Sequence, residues 1–133
     1  MRLLVLALAF ISGVCHADDI DGLWVGYYEY TLREKPARVE FSLVLKSDGS
    51  KVVGKMMERN TFGDKQVIAL FANINGVVDG QTIKFYKTYD GSGSVNHSVL
   101  YELNFANEHR LARGTWTIGE RSTGLVEILK IEL

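Results

Sequence analysis

One proline and one cysteine are all that this chain has of either residue, and it holds only two tryptophans and three histidines. The cysteine, Cys15, lies in an N-terminal stretch that reads as a removable leader. Met1-Arg2 forms a short basic start, Leu3 to Ile11 is apolar, and Cys15-His16-Ala17 ends on a small residue before Asp18-Asp19. This is the pattern of a secretory signal peptide, residues 1–17, with cleavage expected after Ala17. The apolar run is too short for a membrane anchor, which needs ~20 apolar residues. Cys15 raises the alternative of a lipid-modified cysteine, which the bulky Val14 in front of it fits poorly. Without the leader the chain has no cysteine, so neither a disulfide framework nor a thiolate metal site can form.

Charge of one sign is also lacking. Fifteen basic residues face sixteen acidic ones, and loss of Arg2 leaves fourteen against sixteen. Such a near-neutral surface supports neither nucleic acid nor an anionic membrane as partner. Metal chemistry has little to work with. Beyond the leader only His97 and His109 remain, where a zinc site needs about three convergent ligands. The stretches "DDID" and "DGSGS" lack the spaced acids and terminal glutamate of a calcium loop. No phosphate loop, nucleophile elbow or serine-histidine-aspartate order is present, and no cofactor is implied.

What is present is period-two alternation. Removing 17 of the 133 residues leaves 116, the length of a single domain over 18–133. A chain of that size buries roughly 65% of its unfolded surface. Across it, eight alternating runs are separated by Gly, Asn, Asp and Ser: 22–31, 37–46, 51–60, 66–78, 82–89, 97–105, 111–118 and 124–132. The second run is the clearest, with Val39, Phe41, Leu43 and Leu45 alternating against Arg38, Glu40, Ser42, Val44 and Lys46. Pro36 falls between two runs, where its missing N–H does no harm. Eight strands joined by tight turns predict an all-β, antiparallel up-and-down barrel, which also removes exposed sheet edges. A two-sheet sandwich fits the same alternation.

One inner face looks wrong for a core. In "IKFYKTYDG", Lys87 shares the face of Ile83, Phe85 and Tyr89. The third run has the same feature, with Glu58 and Asn60 following Val52 and Met56. In the sixth, His97 precedes Val99 and Tyr101 on the inner side. In all three runs the inner face turns polar toward the same end of the barrel. Glu58 and Lys87 are therefore expected to neutralise each other inside the upper barrel, among Tyr28, Asn60, Tyr89, His97, Tyr101 and Trp116, as a small-molecule site at the open end. In the other reading both charges reach water at the rim and contribute little.

The opening "GLWVGYYEY", with Gly22 and Trp24, resembles the Gly-x-Trp that begins the first strand of lipocalins and avidin-like proteins. The resemblance in strand order covers residues 20–133, and "GTWTIG" is similar to a penultimate avidin strand. "MERNTFGD" and "KTYDGSGSVNHSVLYE" look like small exported bacterial barrels of unassigned function. The resemblance implies that Trp24 plugs the closed end, and it implies no particular ligand. Two tryptophans are too few for a biotin pocket, and Lys87-Thr88-Tyr89-Asp90 only echoes the lipocalin Thr-Asp-Tyr motif. Neither Arg113 nor Arg121 matches the arginine that lipocalins often place over that tryptophan. Three functions follow as expectations for a periplasmic or secreted protein: a non-enzymatic small-molecule binder, an interaction or hydrolase-inhibitor protein acting through its loops, and an acid-base enzyme using His97, Glu58 or Lys87. An empty lumen favours the first or third, a filled one the second.

Overall fold

The computed structural model describes residues 20–30, 38–120 and 122–132. The expected signal peptide, residues 1–17 with Cys15, and Arg121 lie outside the described residues. Eight strands follow in order: β1 Gly22–Tyr30, β2 Arg38–Asp48, β3 Lys51–Arg59, β4 Ala69–Asp79, β5 Thr82–Tyr89, β6 Ser98–Ala106, β7 Leu111–Ile118 and β8 Ser122–Lys130. Each pairs antiparallel with the next, and β1 also pairs with β8, from Trp24 opposite Lys130 to Tyr30 opposite Gly124. The sheet is therefore a closed barrel, and the sandwich alternative falls. Most boundaries fall within one residue of the expected ones, β2 ends two residues later, and the larger shifts are in β4 and β8. β4 starts three residues later, because 66–68 belong to a loop held by Asn60, and β8 starts and ends two residues earlier.

Alternation sorts side chains between lumen and outer wall. Along β2 the even positions Arg38, Glu40, Val44 and Lys46 face out, while Val39, Phe41, Leu43 and Leu45 are buried. An eight-stranded barrel has an interior just wide enough for side chains to fill. At one end the turns are tight: Gly49 and Gly80 take positive φ of 59° and 58°, a conformation glycine adopts without steric penalty. That end is plugged by Trp24, which is fully buried, with its ring 6.3 Å from Phe105 and its Nε1–H donating to the Ile20 carbonyl at 2.8 Å. His109 stacks on Phe105 at 4.5 Å. Asp21 ties the entering chain down by accepting from the Ser47 backbone N–H (2.6 Å) and hydroxyl (2.7 Å).

Candidate functional site

Lys87 and Glu58 meet inside the barrel. Glu58 lies on β3 and Lys87 on β5, two strands apart, and both point inward because each occupies an inner position of its alternation. Their side chains form a salt bridge with only 1% of either exposed. Isolated, either charge would cost several kcal/mol to bury, and pairing offsets that cost only when the remaining bonding capacity is also met. Here it is. Glu58 Oε2 accepts from the Tyr28 hydroxyl at 2.5 Å and Oε1 from the Tyr89 hydroxyl at 2.8 Å. The ammonium reaches the Tyr101 hydroxyl at 3.5 Å and stands 4.4 Å from the Tyr89 ring centre and 4.9 Å from that of Tyr28. Three tyrosines thus surround the cation while two of them also bond its counter-ion, so ring quadrupole and hydroxyl both act on the pair. Among the described residues, no buried side-chain nitrogen or oxygen lacks a hydrogen-bond partner.

The environment shifts the groups predictably. Burial pushes Lys87 below its ordinary value, with the Glu58 charge opposing. Tyr28 and Tyr89 are pushed far up, first by burial and then by the neighbouring Glu58 charge. Tyr101, fully enclosed, is raised chiefly by burial. A phenol whose folded value is raised contributes stability that is intact below the usual 10.0 and is lost as pH climbs above it, where the unfolded chain releases the proton and the folded chain does not. Alkaline titration followed by tyrosinate absorbance should therefore show these three ionising only as the circular dichroism of the fold is lost. Ionisation of all six tyrosines with native circular dichroism intact would contradict the buried network.

Above the pair lies a cavity of about 30 Å³, room for a single water. Tyr28, Lys87, Tyr89, His97, Tyr101 and Trp116 all line it, so the structure gathers six of the eight expected site residues around one point, with Glu58 bonded directly to three of them. Trp116 is held there by its Nε1–H, which donates to the Glu29 carbonyl at 2.9 Å. His97 is placed at the rim rather than inside. Its residue is exposed, and its ring lies 4.9 Å from Tyr89 and 6.0 Å from Phe62. Partial burial and then the Lys87 charge push His97 below its usual value, against the pull of Glu58.

Asn60 corrects the expectation. Its Oδ1 accepts from the Gly63 N–H at 2.7 Å, and its Nδ2 donates to the Asp64 and Val67 carbonyls at 2.6 and 2.8 Å. The amide is consumed in shaping the β3–β4 loop and does not line the cavity, because strand alternation ends at Arg59 and loop backbone groups claim the next polar side chain. Tyr30, Phe62, Val99 and Ile118 also line the cavity. Period two places Tyr30 with Tyr28 and Ile118 with Trp116. No sequence pattern singles out Phe62, which the folded loop brings within 5.7 Å of Tyr89.

The outer wall carries a much larger concavity, a groove of about 780 Å³ whose walls include Tyr27, Met57, Ile68 and Leu129 over the small Gly26 and Ser42. Among the described residues no three His, Cys, Asp or Glu side chains are grouped to hold a metal.

Neither a protein-family model nor a curated protein sequence matches the chain. Among solved structures it is similar to a redesigned β-barrel, with a TM-score of 0.68 at 14% identity over 90% of this chain and 97% of that one. At that identity the likeness speaks for the fold alone. Fold and site together define a closed eight-stranded β-barrel with a filled lumen built around a buried lysine-glutamate pair.

Proposed function

We propose that this chain is an exported, non-enzymatic interaction protein, in which the barrel is a rigid scaffold that meets a protein partner with its exterior. The observation that carries this reading is the filled lumen. Among the described residues, the cavity above Lys87 is about 30 Å³, whereas pockets for small molecules run to ~300–1,000 Å³. The Lys87-Glu58 network is internally satisfied, which gives it a structural rather than a ligand-seeking role. The same satisfaction argues against acid-base catalysis, which needs a group free to exchange a proton with substrate. Export rests on the Met1 to Ala17 pattern.

A small-molecule reading has one specific observation in its favour: five expected residues converge under Phe62 and His97, and Phe62 remains 46% exposed on its loop, with its ring 5.7 Å from Tyr89 and 6.0 Å from His97. Native mass spectrometry of protein purified without denaturation separates the two. The interaction reading expects the mass of polypeptide alone. A copurified small molecule, lost on replacing Lys87 and Glu58 together by Met, would sink it in favour of the lumen.

A further inference from the structure

We infer that the mouth of the lumen is a gated site for a phenol, a single aromatic ring with one oxygen substituent, and that the Phe62 side chain fills it until such a ligand displaces it. The inference goes beyond the interaction reading and leaves it standing, because a site occupied at rest by the chain's own ring retains nothing through purification. The stretches "MERNTFGD" and "KTYDGSGSVNHSVLYE" meet at this mouth. The backbone is fixed on either side of Phe62, Asn60 N–H donating to the Ile68 carbonyl at 2.9 Å and Asp64 N–H to the Gly93 carbonyl at 2.8 Å. A Cβ added at Gly63 would lie 2.9 Å from the Gly93 oxygen, so the two loops are in backbone contact. The ring is freer than the backbone that carries it. It rests against Tyr89 and His97, and 46% of the residue is exposed. Rotation of the side chain, which is fast for exposed residues, carries the ring into solvent without opening the loop.

What lies under the ring defines the ligand. The void of about 30 Å³ is too small for any ring, so a ligand enters only as Phe62 leaves. Its walls include Lys87 and Tyr101. The Tyr101 hydroxyl accepts from Lys87 at 3.5 Å, and among the described residues its own O–H has no acceptor. Tyr101 is 1% exposed, so bulk water does not supply one. A single water in the void does so at rest, and a ligand oxygen does so in its place. A phenyl ring above one water-sized polar void has the outline of a phenol. Trp116 and Tyr30, edge to face at 5.4 Å, give the vacated space an aromatic wall opposite Tyr89. Charge narrows the choice further. Lys87 and Glu58 cancel, so the floor offers an anion no net charge, and the ammonium repels the cations that aromatic walls otherwise suit.

Titration of the isotope-labelled protein with phenol to ~10 mM, followed by NMR, should shift the indole N–H of Trp116 and leave that of Trp24, at the closed end, in place. Phe62→Ala removes the competing ring and should tighten binding about tenfold, whereas Phe62→Trp, a larger plug, should weaken it; both should keep the parent's circular dichroism. Adding Tyr101→Phe to Phe62→Ala should cost phenol about two- to tenfold in affinity and cost toluene, which has no oxygen, nothing. Tetramethylammonium should shift neither indole. The inference is overturned by an unmoved Trp116 in Phe62→Ala, by shifts at both indoles, by an affinity indifferent to both Phe62 changes, or by equal losses for phenol and toluene. Tetramethylammonium binding at Trp116 overturns it as well. Phenol taken up by protein whose native mass is polypeptide alone supports the site and the interaction reading together, whereas a copurified phenol would support the site and overturn that reading.

Discussion

Replacing Lys87 by Met is expected to destabilise the barrel by about 3–5 kcal/mol, because it leaves the Glu58 carboxylate buried without its cation. Adding Glu58→Met should recover much of that loss, since the second change removes the stranded charge and fills the space with an apolar side chain of similar length. The recovery should stop short of complete. Tyr28 and Tyr89 donate their hydroxyls to Glu58, and in the double variant both donors lose their acceptor inside the core. An unsatisfied buried donor costs about 1–3 kcal/mol, so changing both tyrosines to Phe in the Met/Met background should bring a further gain. Urea unfolding of the parent protein, the two single Met variants and the double variant forms a thermodynamic cycle. Additive single-site effects of Lys87→Met and Glu58→Met would show that the two side chains do not interact.

Trp24→Ala should have an effect of similar size at the opposite end, about 3–5 kcal/mol, the range for deleting a large buried aromatic. The indole is fully enclosed and packs on Phe105, and its N–H holds the Ile20 carbonyl where the chain enters the barrel. Trp24→Phe keeps most of the packing and gives up the hydrogen bond, so it should lie well below the alanine variant in its loss. Denaturant titration decides both. A loss under about 1 kcal/mol for the alanine change, typical of surface positions, would mean that the tryptophan is not the plug.

Neither experiment depends on the partner being known, and each probes a different end of the barrel. The lysine-glutamate cycle tests whether the lumen is self-contained, which the interaction reading requires. The tryptophan series tests the closure that makes the barrel a rigid support for its outer wall.

Much of this was determined by the sequence alone. Side-chain period two is a covalent property of an extended chain, so a run such as Val39-Glu40-Phe41-Ser42-Leu43 commits alternate residues to opposite faces before any partner strand is chosen. Eight such runs with short turns between them point to an antiparallel barrel or a sandwich and put Lys87 and Glu58 on apolar faces; closure of the sheet and the meeting of the two charges in the lumen, rather than at a wet rim, were decided by the tertiary structure. Tertiary structure decided the rest. Periodicity assigns a face but says nothing of how far side chains reach across a lumen, so only packing revealed that three tyrosines and Trp116 leave room for one water. Alternation also stops where a strand stops: Asn60 turned to the loop carbonyls and His97 to the rim, because outside the ladder the nearest unsatisfied backbone group or ring sets the side chain's direction. On the outer wall, Leu129 becomes the neighbour of Val25 only because closure of the barrel pairs the last strand with the first, and strand register then sets Val25 beside Ser42 and Ser42 beside Met57.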